Sequence, residues 1–486
     1  MKNHYAVRLP GVDRVFDRRK ILIINMVPLA MALLQISAVN VALPSITQSL
    51  GAQSHDIQLV LSGYALAFGI CLVPFGRVGD VLGRSSLFTI GLAIFTISCL
   101  VCGLATSPLA LNIARVFQGL GAGMQGPQTT GMIQQYFKGQ GRARAYSLQG
   151  MTVAAAVALG PLMSGIPITL LGPDLGWRTS FLVNFPLGVA GVIVACFWLP
   201  FDTEREAIRA RKLNSGRKRR KLDLDPVGAL LLTVAVVCVM VPFMFGSENP
   251  RLFWLLLAAA ALAGAWMWWE VSYHRRGHEP MVNPELFRLR SFIHHTLISA
   301  VDFLGITSIF VIVAMFLQQG LGWDALQASL IGLPNAVVTM FAANWAGKNV
   351  LRLRNKMMVG TLATIVFATC CTIFFVWLSR DYGISGWWLS LSLAIHGFGQ
   401  GAFASGNQTL AMLDVPVTMS GTAGGVKSMA ERVSTAMGNA IISGIFFAML
   451  PLSSYHDAAL WSYAAVAAFV AIACTIAAVY MALTKD

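Results

Sequence analysis

The stretch Gly76-Arg77-Val78-Gly79-Asp80-Val81-Leu82-Gly83-Arg84 separates two long apolar segments of the chain. Its glycines allow two helix ends to approach closely in a tight turn, because glycine has no side chain to obstruct the backbone. Asp80 and Arg84 can bond other side chains or the free backbone groups of neighbouring helix ends. The stretch therefore predicts a cytoplasmic hinge between two membrane helices, with Gly76, Asp80, Gly83 and Arg84 as a conformational switch.

The composition of the whole chain supports a membrane location. Of its 486 residues, 56% are hydrophobic and only 12% are charged, whereas a soluble protein carries about 25% charged residues. The mean hydropathy is +0.67. Because about 20 apolar residues are needed to cross the hydrocarbon core, the sequence predicts an all-α membrane protein. We expect fourteen spans, at residues 21–44, 57–77, 86–106, 108–137, 146–171, 179–201, 226–245, 252–271, 292–318, 326–347, 357–378, 387–412, 420–449 and 458–483.

The placement of lysine and arginine gives the orientation, since cytoplasmic loops carry the excess of these residues. With a cytoplasmic N-terminus, nearly all of the 35 basic residues fall in inner segments; those that do not are Arg178, Arg251 and Arg380 in outer loops and Arg115, Lys427 and Arg432 within spans. This distribution predicts that both termini are cytoplasmic. It also explains the net charge of +14 without nucleic acid. The loop after the twelfth span is the exception, because it contains no lysine or arginine.

Several classes of protein are disfavoured by the sequence. The eight cysteines all fall inside predicted spans, so they cannot form an exposed disulfide framework, and helix packing is favoured over metal binding for Cys99 and Cys102. No G-x-x-x-x-G-K-[ST] loop is present, which argues against pumping driven by ATP. The basic run Arg217–Lys221 lies among acidic residues and predicts a solvated linker that sets topology, with contact to anionic lipid headgroups as a second role. We expect no metal and no cofactor.

The spans predict four regions in chain order. Residues 1–20 form a cytoplasmic N-terminal segment, and residues 21–201 form an N-terminal six-helix bundle. Residues 202–291 form a basic cytoplasmic linker with two extra membrane helices, and residues 292–486 form a C-terminal six-helix bundle. We therefore expect two bundles joined by a two-helix insert.

Four further stretches contain patterns that involve small residues in or beside spans. Arg115–Gly123 reads R-V-F-Q-G-L-G-A-G, and Leu159–Gly165 reads L-G-P-L-M-S-G. Val39–Pro44 reads V-N-V-A-L-P, and Trp177–Gly188 reads W-R-T-S-F-L-V-N-F-P-L-G. Small residues allow helices to pack closely, and Pro161 leaves a backbone hydrogen bond open, which allows a bend.

Together with the hinge stretch, which matches G-x-x-x-D-x-x-G-R, these patterns resemble the fourteen-helix drug/proton antiporters of the major facilitator superfamily. The resemblance runs nearly end to end and is strongest in the first half. It implies two six-helix bundles around a central cavity, alternating access, and export of lipophilic or amphiphilic compounds in exchange for protons. It also implies that Gly160, Pro161 and Gly165 form the antiporter motif. Arg115 is expected to be a buried charge that faces a cavity or a polar partner.

One position departs from the family pattern. Helix 1 of these antiporters usually reads L-D-x-T before V-N-V-A-L-P, whereas this chain has Gln35 in place of the acid. Gln35 cannot titrate, so proton coupling must rest on other groups. It either faces the cavity as a neutral donor and acceptor or bonds a neighbouring helix.

Two acids inside spans are the candidates for proton coupling. Asp302 lies about 16 Å into the ninth span and Glu431 about 16 Å into the thirteenth, where an ionised carboxylate is costly. Asp302 has either a titrating role or a fixed polar contact. Glu431 is close in sequence to Lys427 and Arg432, which favours a structural ion pair. His396 is a weaker candidate and is more simply explained as a packed neutral histidine.

The substrate cavity is expected to combine apolar, aromatic and amide groups. Such a surface suits amphiphilic compounds better than one rigid polar solute. Its candidate residues are Gln35, Tyr64, Gln118, Gln125, Phe310, Met315, Asn335, Gln400 and Asn407. Large apolar residues in spans are core more often than site.

These observations predict a secondary transporter of a bacterial plasma membrane, with no enzymatic activity. Its expected partners are a small amphiphilic or lipophilic substrate, protons and membrane lipids, and a monomer is expected. The alternatives are an exporter of an endogenous lipid or envelope precursor, a facilitator that is not coupled to protons, and a membrane-embedded enzyme acting on lipids. The enzyme is disfavoured, because the few acids are scattered along the chain or adjoin basic residues.

Overall fold

The computed structural model describes residues 6–8, 15–202, 204–206, 223–246 and 249–484, and this part of the chain is nearly all helical. A short antiparallel pair of strands, β1 and β2, precedes the first helix; no pattern in the sequence predicted it. The strands and the helices longer than one turn are β1 Ala6–Arg8, β2 Val15–Asp17, α1 Arg18–Leu50, α2 Ser54–Leu82, α3 Arg84–Gly103, α4 Pro108–Tyr136, α5 Gly139–Leu182, α6 Asn184–Trp198, α7 Pro226–Phe245, α8 Leu255–Arg275, α9 Arg290–Met315, α10 Ala325–Leu330, α11 Leu333–Tyr382, α12 Leu389–Ala411, α13 Ser420–Met449 and α14 Tyr455–Thr484. Four 3₁₀ segments and one π-helical segment adjoin them, at Pro250–Trp254, Pro284–Arg288, Gly386–Trp388, Val417–Met419 and Phe316–Gly320.

Two long helices each contain one kink. In α5 the backbone of Gly172 has φ 81°, a conformation that glycine adopts without strain. In α11 the kink is at Arg354, with φ 43°, which is unfavourable for a residue with a side chain. Both kinks lie in segments that the sequence predicts to be loops between spans, so α5 and α11 each extend over two predicted spans.

Among the described residues, nine helical segments are long and apolar enough to cross a membrane. One of them joins α5 and α6, and another is the kinked α11. Helices α4, α12 and α13 have 29, 23 and 30 residues but a more polar composition. The chain thus has the multi-pass helical architecture that the sequence predicts. The count of fourteen spans and the cytoplasmic position of both termini stay predictions.

The chain divides into two compact units. The first contains residues 1–138, 160–289 and 415–429. Part of its core forms where Val39 and Ile46 of α1 pack with Val60 of α2 and with Trp177 and Phe181 near the end of α5. The inserted helices α7 and α8 belong to this unit.

The second unit contains residues 139–159, 290–414 and 430–486. Its core includes four large aromatic side chains that are almost fully buried, Phe316, Phe403, Phe446 and Tyr463. Helix α5 therefore contributes its first half to the second unit, and the start of α13 belongs to the first. The predicted domain boundaries follow chain order and stay a prediction.

Candidate functional site

The hinge stretch joins α2 to α3 through Gly83, whose φ of 111° requires glycine. Arg84 begins α3, and its Nη2 donates to Oδ1 of Asp80 at 2.6 Å. The side chain of Asp80 is 1% exposed and that of Arg84 is 6% exposed. Both predicted charged residues of the switch therefore form a buried ion pair at the junction of the two helices.

The same two side chains hold the first turn of α13, which belongs to the first unit. The backbone N–H groups of Gly421 and Thr422 donate to the Asp80 carboxylate at 3.0 and 2.8 Å, and the Thr422 hydroxyl donates to it at 3.0 Å. These N–H groups lie at a helix N-terminus, where they have no partner within the helix and where the helix dipole favours an anion. Asp80 thus acts as a cap for α13 that is supplied by another helix.

Arg84 binds both the segment that precedes α13 and the helix α4. It donates to the carbonyl oxygen of Val417 and to the hydroxyl of Ser420 just before α13, and to the carbonyl oxygen of Gly131 and the amide oxygen of Gln135 on α4. The loop before α13 is the one that contains no lysine or arginine. Because the Arg84 guanidinium binds there, this loop contacts a positive charge from another segment.

The close approach of α13 depends on Gly76. A Cβ added at this position would lie 2.7 Å from the carbonyl oxygen of Gly421. Any larger residue would push the start of α13 away from the Asp80 carboxylate. The structure therefore brings together Gly76, Asp80, Gly83 and Arg84 at the start of α13. Their action as a conformational switch stays a prediction.

Sequence reasoning missed Glu204, which follows the sixth predicted span. Its side chain is buried; Oε2 accepts from the backbone N–H of Ser85 at the start of α3, and Oε1 accepts from the hydroxyl of Tyr136 at the end of α4. Gln135, which adjoins Tyr136, receives the hydrogen bond from Arg84. Glu204 thus helps to fix the helix ends around the switch. An acid in a charged linker has no pattern that would reveal such a role.

Arg115 lies in α4 and is 1% exposed. Its Nε donates to the carbonyl oxygen of Val60 at 2.9 Å, and Nη1 donates to Oε1 of Gln118 at 2.6 Å. The guanidinium lies 4.3 Å from the ring centre of Tyr64, a distance at which a cation is attracted to an aromatic face. Among the described residues no carboxylate pairs with Arg115, so its partners are neutral polar and aromatic groups.

Gln35 is fully buried in α1, and its Oε1 accepts from Nδ2 of Asn184 at 2.8 Å. Asn184 lies in the quoted stretch Trp177–Gly188. Of the two roles that the sequence left open for Gln35, the bond to a neighbouring helix is present. Its Nε2 is buried and has no hydrogen-bond partner among the described residues.

The antiporter motif of α5 contains two glycines with different surroundings. A Cβ added at Gly160 would collide with Ser37 of α1 and would lie 3.0 Å from the carbonyl oxygen of Leu34. A Cβ added at Gly165 would meet nothing within 4 Å. Gly160 therefore allows α1 to approach α5 beside Pro161, whereas Gly165 has no such packing role within the described residues.

The two candidate acids, Asp302 and Glu431, both lie in the second unit. Ser299 of α9 donates from Oγ to Oε1 of Glu431 at 2.6 Å. Asp302 lies one helical turn after Ser299 in the same helix and is fully buried. Glu431 therefore binds the helix that carries Asp302.

Other candidate cavity residues fall into two groups. In α4, Gln118 bonds Arg115, and Gln125 is buried with no hydrogen-bond partner for either amide atom among the described residues. In the second unit, Asn335 bonds the carbonyl oxygen of Leu393 and the ring of His396, and Asn407 bonds His295.

The remaining candidates of the second unit differ in exposure. Phe310 is 40% exposed and packs edge-on to His396, Met315 packs against the core, and Gln400 is partly buried. All eight cysteines lie in helices as free thiols. The run Arg217–Lys221 lies outside the described residues. In the part of the chain that the structure describes, no group of histidine, cysteine and acidic side chains could hold a metal.

A family model described as Major Facilitator Superfamily matches residues 26–439. The chain belongs to the major facilitator superfamily. The helices that carry the hinge stretch, Arg115, the antiporter motif and the two acids therefore belong to a transporter fold. The chain is a multi-pass protein of the plasma membrane, as the sequence predicts.

Relatives within the superfamily include named exporters. The chain is 29% identical to a Streptomyces coelicolor protein named probable actinorhodin transporter, over 86% of this chain and 71% of the relative. It is 26% identical to the multidrug resistance protein Stp of Mycobacterium tuberculosis, over 87% of this chain and 74% of the relative. It is also 24% identical to the riboflavin transporter RibZ of Clostridioides difficile, over 88% of each.

A solved structure supports the fold. The proton:xylose symporter XylE aligns with a TM-score of 0.66 at 13% identity, over 94% of this chain and 94% of that protein. At this identity the similarity shows the fold alone. The predicted superfamily is confirmed, and its drug and antibiotic exporters are among the relatives.

Proposed function

We propose that the protein exports lipophilic or amphiphilic compounds in exchange for protons, by alternating access. Export is supported by the relatives that are named as drug resistance or antibiotic transport proteins. Proton coupling is supported by one observation above all: Asp302 is fully buried in α9, and Glu431 accepts a hydrogen bond from Ser299 of the same helix.

An acid at this depth in a helix is expensive while ionised, by about 3 kcal/mol at a helix centre. The second acid, Glu431, hydrogen-bonds Ser299 of the helix that carries Asp302. Protonation removes this cost, so occupancy by a proton changes the relative free energies of any two conformations that hydrate the site differently. This dependence is the physical requirement for coupling a proton to a conformational change.

Polar side chains continue along the contact between α9 and α13 beyond Glu431. Asn439, two turns after Glu431 in α13, accepts hydrogen bonds from Thr307 and Ser308 of α9 at 3.1 and 2.8 Å. Between these contacts, a Cβ added at Gly438 would collide with the backbone of Leu304. The two helices therefore pack closely along a row of hydroxyl, amide and carboxyl groups that can relay or stabilise a proton.

Replacement of the acids tests the proposal. We expect Asp302→Asn to abolish substrate uptake driven by a pH gradient in inverted vesicles, and Glu431→Gln to reduce it strongly, whereas substrate exchange without a gradient persists in both. Asp381→Asn, an exposed acid at the end of α11, is the matched control and should transport normally. Wild-type proton-driven uptake in Asp302→Asn would move the proton site to Glu431 alone, and wild-type uptake in both variants would exclude the pair.

A facilitator without proton coupling is the second candidate function, and the position of Gln35 favours it. Gln35 is neutral and bonded to Asn184, at the position where related antiporters have an acid. Under this alternative the wild-type protein equilibrates substrate across sealed vesicles, and an imposed pH gradient produces no accumulation.

The proposed substrate class follows from buried amide groups that have no hydrogen-bond partner among the described residues. The amide of Gln125 and Nε2 of Gln35 lack hydrogen-bond partners among the described residues of the first unit. Neutral donors and acceptors of this kind suit carbonyl and hydroxyl groups on a largely apolar compound. We expect Gln125→Leu to weaken substrate binding about tenfold, the effect of losing one such hydrogen bond, with Gly165→Ala as a control that leaves binding unchanged.

A further inference from the structure

The two inserted helices α7 and α8 join at one end through a pair of buried carboxyl groups. Asp225 is the residue before α7 and is fully buried, and Glu270 lies in the second last turn of α8 and is 1% exposed. A Cβ added at Gly228 would contact both Oδ2 of Asp225 and Oε1 of Glu270. The two oxygens therefore face the same small volume beside the first turn of α7.

The donors around the pair are distributed unequally. Asp225 accepts hydrogen bonds from the backbone N–H groups of Gly228 and Met281 and from Nε1 of Trp269, at 2.9, 3.3 and 2.9 Å. Glu270 accepts from the backbone N–H of Val282 through Oε2, at 3.4 Å, and the Trp266 ring N–H and the Met281 N–H also lie near its carboxyl. Its Oε1, which faces Asp225, has no hydrogen-bond partner among the described residues.

This asymmetry assigns different charge states to the two groups. Asp225 lies at the positive N-terminal end of α7 with three donors, an environment that stabilises a carboxylate. Glu270 lies near the negative C-terminal end of α8 beside another anion, an environment that disfavours a second charge. A proton on Oε1 of Glu270, donated to Oδ2 of Asp225, would satisfy the one unpartnered oxygen and remove the repulsion.

We propose that Asp225 and Glu270 share one proton and thereby form a proton-binding site at the joined ends of α7 and α8. The proton leaves to water when the site ionises, and the two carboxylates then repel each other. Since the N–H groups of Met281 and Val282 bind one carboxyl each, ionisation loosens the loop 278–283. The site is separate from the Asp302–Glu431 pair and does not depend on the transport proposed above.

The loop connects this site to the hinge stretch. Glu279 in the loop forms an ion pair with Arg77, at 2.8 Å between Oε2 and Nη2, and Arg77 precedes Asp80 by three residues in α2. The backbone N–H of Glu279 donates to Asp223. A change in the loop is therefore transmitted to the end of α2 that caps α13.

Two other ionisable groups, Asp223 and His278, lie near the pair. Asp223 accepts a hydrogen bond from Tyr273 and lies 3.4 Å from His278, and it is partly exposed. Burial raises the pKa of Asp223, but hydrogen bonds from Tyr273 and from the Glu279 and Asp225 backbones outweigh it, so that its pKa lies below the ordinary value. Asp223 is thus ionised throughout the neutral range. His278 is exposed and does not contact the pair.

Hydrogen–deuterium exchange of the purified full chain tests the proposal without reference to transport. Protection of the Met281 and Val282 amides is expected to fall at least tenfold more than intrinsic exchange predicts as the pH rises from about 5 to about 9, a range that covers buried carboxyls. Glu270→Gln cannot ionise, and its amide can donate to Asp225, so protection should stay at the low-pH level throughout. Glu285→Gln, an exposed acid after the loop, should titrate like the wild type.

Infrared difference spectroscopy of the wild-type protein gives a second measurement that needs no variant. A protonated carboxyl band should disappear over the same pH range in which protection falls, and it should be absent from Glu270→Gln. Protection that is independent of pH in the wild type would overturn the proposal. So would protection that follows the sodium concentration at constant pH, since the pair would then bind a metal cation in place of the proton.

Discussion

At the scale of single residues, the buried Asp80 and Arg84 side chains hold the ends of several helices together. The two charged residues are visible in the sequence, but their partners are not. The groups that Asp80 binds on α13 are mainly backbone N–H groups, and backbone groups leave no mark in a sequence. The same holds for Glu204, whose partner on α3 is the N–H of Ser85.

The Asp80 cap leads to the first prediction. Asp80→Asn keeps an acceptor for α13 but loses the charge, which weakens the hold on the helix by about 1–3 kcal/mol and shifts a two-state equilibrium by about 5- to 150-fold. Transport should therefore be lost while substrate affinity changes less than threefold, as measured by uptake in vesicles and by binding to purified protein. Asp457→Asn, which removes a partly exposed acid that pairs with Arg380 at the start of α14, is the control. A loss of binding that parallels the loss of transport would contradict a switch role.

Arg115 leads to a second prediction at this scale. Its side chain binds Val60, Gln118 and the Tyr64 ring at once, so Arg115→Ala removes the group that orients them and leaves a cavity in α4. We expect transport to be abolished while the protein still inserts and elutes as a single species in detergent. Arg115→Lys keeps the charge but not the two directed hydrogen bonds, so it should recover only a minor part of the activity. Full transport by Arg115→Ala would show that the guanidinium has no positioning role.

At the scale of elements, apolarity predicted where most helices lie but not where they are continuous. Helix α5 extends from Gly139 to Leu182 and α11 from Leu333 to Tyr382, because backbone hydrogen bonding does not stop where the apolar residues end. The kink at Gly172, which precedes Pro173, has a turn signal in the sequence. The kink at Arg354 has none, since arginine is not expected at positive φ.

The antiporter motif gives a prediction for α5 as an element. Gly160→Ala forces a methyl group into Ser37 and the backbone of α1, which should destabilise this packing by about 1–3 kcal/mol and impair transport at least tenfold. Gly165→Ala adds the same methyl group where nothing lies within 4 Å and should behave like the wild type. Thermal unfolding in detergent and vesicle transport measure the two effects. Equal behaviour of the two variants would show that close packing at Gly160 is not what the motif provides.

At the scale of the whole molecule, the sequence indicated regions in chain order, whereas the compact units exchange segments. Residues 139–159 of α5 group with the second unit, and residues 415–429 group with the first. This exchange is a tertiary property, set by which glycine faces fit which helices. For example, a Cβ added at Gly347 of α11 would collide with Ser147 of α5. Apolar periodicity within one helix carries no information about its partner, so the exchange could not be predicted.

If the protein exchanges substrate for protons as proposed, the number of protons moved per cycle is a property of the whole molecule, and Gln35 provides a way to change it. Gln35→Asp places a titratable group at the position where related antiporters have an acid, still within reach of Asn184. If Asp302 and Glu431 form the existing proton site, the added carboxyl lies in the other unit and is independent of them. Export should then depend more steeply on an imposed pH gradient, approaching twice the slope on a logarithmic scale.

Gln35→Asn has the same size as the aspartate but cannot titrate, so it should retain the wild-type slope. Reconstituted vesicles with a defined gradient give both slopes, and an identical slope for the two variants would show that position 35 does not take part in proton transfer.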